Sequence, residues 1–179
     1  MGRIAAALFT TVDGSAERPD RWHGPYFDEA VGRAVDRHTS RCESYLMGRV
    51  LYEQWAQHWP GNDSDEFAGF INPIPKHVLS TTLQQADWAG TTVLPDLDAV
   101  RALRERTGGT IGMSGSLRTV RSLLEAGLLD ELVLLVDPVV VGGERRWTDE
   151  LGRTPLELVS SEALPTGVLH VVYRPAAEG

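Results

Sequence analysis

Short apolar runs of strand length alternate with segments of helical periodicity along most of this chain, and the pattern ends in two strand-like runs with no helix after them. Few architectures accept that order. Strand and helix in alternation lay helices over both faces of a largely parallel sheet, and a strand-only tail returns as an antiparallel hairpin. The expectation is an α/β chain, residues 1–179 forming one domain, with a three-layer arrangement around that sheet.

The individual runs are placed as follows. Residues 3–12 read as a first strand ending at the Asp13-Gly14 turn pair. Positions Phe27, Ala30, Val31, Ala34, Val35 and His38 recur at helical spacing, with Asp28 and Glu29 in the first turn, where the helix dipole favours carboxylates. Residues 44–47 form a short strand, and Val50, Leu51, Gln54 and Trp55 trace the next helical face. Residues 60–75, with Gly61, Asn62 and Asp63 near their start, form the longest irregular piece, and most of it reads as surface loop. Strands follow at 76–80 and 91–94, a helix capped by Asp96 through Arg106, a strand at 109–114, and a helix stopped at Gly127. The apolar run 132–141 suits a central strand covered on both faces, and strands near 156–160 and 168–173 complete the chain.

Charge limits the partners. Seventeen lysines and arginines against 25 aspartates and glutamates give a net charge of −8 spread along the chain, which argues against nucleic acid and anionic membrane surfaces. Lys76 is the one lysine, so any local anion site is built from arginine, whose planar guanidinium grips phosphate in a bidentate manner. No apolar stretch approaches the ~20 residues of a membrane span, and the N-terminal run passes straight into Thr10-Thr11-Val12-Asp13-Gly14 as a strand rather than a leader. The lone cysteine, Cys42, has no partner for a disulfide or a CxxC motif and reads as a small buried residue, which fits a reducing, cytoplasmic setting.

In open α/β sheets ligands bind beyond the carboxyl ends of the strands. Three strand-to-helix turns here carry glycine or hydroxyl residues: Gly48-Arg49, Ser80-Thr81-Thr82 and Ser114-Gly115-Ser116. Free N–H groups at a helix N-terminus bind pyrophosphate, glycine lets the backbone come close to it, and Arg49 suits the extra 2′-phosphate of NADPH. The same glycines also serve simply to turn the chain, and none of the three turns matches GxGxxG, so a Rossmann domain is not supported.

Asp13-Gly14, the run Leu46-Met47-Gly48-Arg49-Val50-Leu51-Tyr52-Glu53, Pro75 to Thr82, Gly115-Ser116 to Leu124, and Gly127 to Gly143 together resemble the dihydrofolate-reductase-like family, and within it the branch that contains the riboflavin-biosynthesis reductase C-terminal domain. The resemblance covers nearly the whole chain in the family's order. It implies NADPH-dependent reduction of a small pterin-, pyrimidine- or flavin-precursor-like heterocycle by hydride transfer, in a homodimer. By position, Gly48 and Arg49 would face the adenosine-phosphate half, Leu79 the adenine, Ser80 and Thr81 the 2′-phosphate, and Ser114, Gly115 and Ser116 the pyrophosphate. Val12, Asp13 and Gly14 would lie near the nicotinamide and substrate, and Trp22 and Tyr26 in the loop bordering the substrate pocket. Asp28 sits roughly where dihydrofolate reductases keep the acid that orients the pterin. Two positions depart from the pattern: Leu51 replaces a usual threonine, and Glu144 stands where a small residue is common.

Each carboxylate has a second reading. Asp28 serves equally as a first-turn dipole partner, and Asp13 as a turn residue beside Gly14, so both stand as candidate catalytic groups beside a purely local role. The five histidines show no metal-ligand spacing, and hydride transfer needs no protein nucleophile. Two alternatives remain open: reduction of the phosphoribosylaminouracil intermediate of riboflavin biosynthesis, and a nucleotide-binding protein of the same fold that has lost catalysis.

Overall fold

A computed structural model of the chain describes residues 1–62 and 65–176, so Asp63 of the irregular stretch lies outside the described residues. The described strands are β1 (Arg3–Thr11), β2 (Cys42–Gly48), β3 (Lys76–Leu79), β4 (Thr91–Leu94), β5 (Thr110–Ser114), β6 (Glu131–Asp137), β7 (Leu156–Ala163) and β8 (Leu169–Pro175). They form one sheet in the order β4-β3-β2-β5-β1-β6-β8-β7. The first six run parallel, and β8 pairs antiparallel with both β6 and β7. The helices are α1 (Glu29–Thr39), α2 (Arg49–His58), α3 (Glu66–Ile71), α4 (Leu97–Arg106) and α5 (Leu117–Glu125). The chain is therefore α/β, a mostly parallel sheet with a C-terminal antiparallel hairpin.

Alternation along β1 explains the layers. Ile4, Ala6 and Leu8 point to one face, where they pack with Val100 and Leu103 of α4 and Val120 and Leu123 of α5. Phe9 points to the other, against Ala30, Val31 and Ala34 of α1. On that same second face Tyr45 and Met47 of β2 meet Tyr52 of α2 and Ile71 of α3. Both faces of β1 and β6 are covered, which is why these two strands read as continuous apolar runs.

Several boundaries differ from expectation. Residues 60–75 are not all loop: Asp65 caps α3 by accepting from the Phe67 N–H, and Ala68 and Ile71 are buried. Six residues carry too little periodicity to announce a helix. The strand expected over 132–141 ends at Asp137, because Pro138 has no N–H to continue the ladder, and Val140 is exposed. Phe27 lies outside α1 and is half exposed, since Asp28 is the cap rather than a first-turn residue. Strand β7 runs on to Ala163 through an irregularity between Leu158 and Ser160.

Lys76 is fully buried at the start of β3. Its Nζ donates to the carbonyls of Ile71 (3.0 Å), Asn72 (2.8 Å) and Ile74 (2.9 Å) and lies over the Trp88 ring. The single lysine is thus a cross-link that closes the segment after α3 onto the sheet.

Candidate functional site

A cleft of about 1280 Å³ runs along the carboxyl edge of the parallel strands and down between α1 and α2. Its rim gathers the three expected turns, Gly48-Arg49, Leu79 to Thr82 and Ser114-Gly115-Ser116, into one groove. This follows from the strand order: β3, β2 and β5 are neighbours, so their carboxyl ends stand side by side.

The helix starts sort into two kinds. Asp28, Asp65 and Asp96 cap α1, α3 and α4 by accepting from Val31, Phe67 and Ala99 N–H groups. Helices α2 and α5, whose first turns line the cleft, begin at Gly48 and Ser116 with no side-chain cap. Their first N–H groups lack a side-chain acceptor from the cap residue, and two successive left-handed residues, Gly115 (φ 54°) and Ser116 (φ 53°), turn the chain into α5. Gly48 has a packing reason as well: a Cβ there would stand 2.7 Å from Thr119 Oγ1, so only glycine lets β2 end this close to α5.

The three serine hydroxyls have structural work. Ser116 Oγ accepts from the Gly48 N–H at 2.9 Å, tying two turns together. Ser80 Oγ accepts from the Thr82 and Leu83 N–H groups, and Ser114 Oγ bonds the buried Tyr45 hydroxyl, whose pKa burial raises. A hydroxyl that accepts from backbone still has its own proton to donate, so Ser80 and Ser116 remain able to bond an anion.

Sequence reading missed the arginines and threonine of α5. Arg118 lines the cleft in the first turn of α5, exposed and without an ion pair among the described residues. A cation there opposes the helix dipole, so it gives α5 no stability and stands ready for an anion. Arg121, 8% exposed, also lines the cleft; it reaches the Arg146 carbonyl at 3.4 Å and Glu150 at 3.8 Å. The signal available was two arginines three residues apart behind a glycine turn, which is common on any helix surface.

Six expected residues stand elsewhere. Asp13, Val12, Gly14, Trp22, Tyr26 and Asp28 are not among the described residues that line the cleft. The Asp13 carboxylate bonds the Thr11 hydroxyl and the Gly142 and Val141 N–H groups, which hold its pKa below the usual carboxylate range against the opposing effect of desolvation. It fastens the turn after β1 to the loop after β6. Asp28 accepts from the Val31 N–H of its own helix. Trp22 is buried with its indole N–H on the Glu17 carbonyl, Tyr26 packs on the α1 cluster, Val12 is 65% exposed, and Gly14 bonds Trp147 through its carbonyl. The same loop instead presents Glu17, Arg18, Arg21 and Phe27 to the cleft. Both departures from the family pattern, Leu51 and Glu144, line it too, Glu144 lying 3.7 Å from Arg21.

At the base of the cleft His38 is 3% exposed. Burial brings its pKa down to about 4, Arg41 adding to the shift and Glu131 opposing it, so the ring is neutral at pH 7. Among the described residues no group of three histidine, cysteine, aspartate or glutamate side chains could hold a metal ion, and no helix is long and apolar enough to cross a membrane.

Comparison with known proteins gives a family and a fold. The model of the RibD C-terminal domain fits residues 3–170. A Bacillus subtilis (strain 168) protein, uncharacterized protein YyaP, is 26% identical over 140 residues, 75% of this chain and 74% of its own length. Among solved structures, a putative riboflavin biosynthesis protein from Shewanella sp. PV-4 superposes with a TM-score of 0.74 at 17% identity, over 97% of this chain and 99% of its own. A pyrimidine reductase-like protein from Corynebacterium diphtheriae gives 0.66 at 16% identity, over 98% and 92%. Dihydrofolate reductase from Enterococcus faecalis, complexed with NADP(H) and RAB-propyl, gives 0.66 at 14% identity, over 97% and 96%. The fold is dihydrofolate-reductase-like.

Proposed function

The chain belongs to the RibD C-terminal domain family, and from that premise we propose that it is an NADPH-dependent reductase of a small heterocycle. Reductase-type activity is the character of the family and its fold; the cofactor and the substrate class are our reading. One observation carries it: the helices that start at Gly48 and Ser116, whose first turns line the cleft, have no side-chain cap, and Arg118, which has no ion pair among the described residues, stands in the first turn of the second. Bound there, NADPH supplies a hydride to an oxidised ring.

The chain's own residues supply binding and orientation. N–H groups of α5 beside Gly115 and Ser116, with Arg118, take the pyrophosphate. Ser80, Thr81 and Arg49 take the 2′-phosphate, and Leu79 borders the adenine. Ala7, Phe9 and Leu135 floor the space below, and Phe27 and Trp55 wall it, so that a ring laid over the nicotinamide is shielded from water. Equilibrium titration with NADPH tests this. We expect saturable binding well below about 1 mM, weakened about tenfold by Arg118→Ala; no saturable binding removes the reading.

A second reading is a nucleotide-binding protein without catalysis, favoured by Leu51 and Glu144 on the cleft wall. NADPH binding with no oxidation across folates, pterins and pyrimidines selects it. We also propose that the chain works in the cytoplasm as a homodimer joined through its C-terminal strands. Strand β7 is an unpaired sheet edge, and Leu158, Val159 and Leu169 are about half exposed on this hairpin. A monomer in sedimentation equilibrium, unchanged by Leu158→Asp, removes the dimer.

A further inference from the structure

Strand β2 carries Tyr45 on the second face of the sheet, fully buried, and its hydroxyl is bonded to Ser114 Oγ at the carboxyl end of β5. The phenol ring is held on three sides. It lies across Gly112, its register partner on β5, where a Cβ would stand 3.1 Å from two ring atoms. Trp55 stacks on it with ring centroids 6.0 Å apart, and Phe70 meets it edge-on at 5.7 Å. Ser114 is only partly buried and is one of the residues that line the cleft.

Two hydroxyls joined in this way hold two hydrogens, and the bond between them uses one. Neither hydroxyl has another hydrogen bond among the described residues. Burial raises the pKa of the phenol, so Tyr45 keeps its hydrogen at neutral pH. If Ser114 were the donor, that phenolic hydrogen would be left inside the core with no acceptor and would carry its whole desolvation penalty. If Tyr45 is the donor, the spare hydrogen belongs to Ser114, which borders the cleft, where water or a ligand can accept it. Burial of one partner therefore sets the sense of the bond.

We propose that Tyr45 is a positioning residue: by donating to Ser114 it occupies a lone pair of that hydroxyl and fixes Ser114 as a hydrogen-bond donor to an acceptor oxygen of the bound ligand. In the reductase reading, on which the choice of ligand rests, that oxygen belongs to NADPH. Ser114 immediately precedes the turn into α5, where the same reading puts the pyrophosphate. Phosphate oxygens only accept, and a donor already aimed meets them without first losing rotational freedom.

Raman spectroscopy reads the sense of the bond, because the intensity ratio of the tyrosine Fermi doublet is low for a phenol that donates and high for one that only accepts. Tyr45→Phe keeps the ring, so the spectrum of wild type minus that of the variant isolates this phenol from the other tyrosines. We expect a donor's low ratio; a high ratio overturns the proposal. Should Tyr45→Phe fail to fold, the difference between wild type and Ser114→Ala carries the same signal, the phenol there losing its acceptor.

Titration with NADPH reads the consequence. Ser114→Ala should weaken binding about tenfold and Tyr45→Phe about threefold, and the double variant should be no weaker than Ser114→Ala alone, because Tyr45 acts only through Ser114. A tyrosine that merely packs would lower stability and leave affinity alone, so an unchanged affinity in Tyr45→Phe, or losses that simply add, also overturns the proposal. If wild type does not bind NADPH, the reductase reading falls, and the Raman ratio alone decides whether Tyr45 makes Ser114 a donor.

Discussion

Replacing His38 with glutamine should flatten the acid side of the stability profile. In the folded chain the ring is buried and its pKa falls from 6.5 to about 4. As pH drops below 6.5 the unfolded chain takes up a proton at this position and the folded chain does not, so stability falls until about pH 4, where the folded ring also protonates. At about 1.4 kcal/mol per unit, the separation of the two values corresponds to roughly 3 kcal/mol. Above pH 6.5 the ring is neutral in both states, and this dependence vanishes. Urea unfolding followed by tryptophan fluorescence at pH 7, 6, 5 and 4.5 measures it. Wild type should lose about 2 to 3 kcal/mol more than His38→Gln across that series. His77 and His170, whose pKa values burial also lowers, act in both proteins and largely cancel in the difference. Parallel curves for the two proteins would refute the argument that burial of this ring opposes its charge.

Three further perturbations follow from particular side chains. Lys76→Met removes a buried cation and strands three carbonyls, and should cost about 3 to 5 kcal/mol in urea unfolding. Cys42 donates its thiol hydrogen to the His38 carbonyl at 3.1 Å, and burial pushes its pKa to about 11. With only about a thousandth of the thiol ionised at pH 8, alkylation by iodoacetamide in the folded protein should be far slower than in urea-unfolded chain, as mass spectrometry would read. Asp28→Ala should lower stability by about 1 kcal/mol through loss of the α1 cap and leave NADPH affinity unchanged; in the reductase reading, a loss of turnover with NADPH affinity intact would assign Asp28 to the substrate.

The order of strand and helix was readable because periodicity is a local property. Runs such as residues 3–12 declare a strand buried on both faces wherever the sheet places it, and Asp96 and Gly127 announce their helix ends through backbone chemistry that needs no distant partner. The resemblance of the turn motifs to a known family added the fold, which the superpositions show. The glycine and hydroxyl turns were identifiable for the same local reason. That they share one groove depends on β5 inserting beside β2 and β1, a pairing of strands far apart in sequence.

Which side chains face that groove was not readable. Asp13 and Asp28 look alike in sequence, each a carboxylate beside a strand end or helix start, yet one is bound by N–H groups of residues 141 and 142 and the other by its own helix. Arg118 reads like any surface arginine until the folded chain leaves it with no carboxylate partner among the described residues and in the first turn of a helix without a side-chain cap. Residue type and spacing determined the elements, their caps and the net charge of −8. Long-range packing decided which charges are already neutralised and which remain for a ligand, because pairing is settled by neighbours that the chain meets only when the sheet has closed.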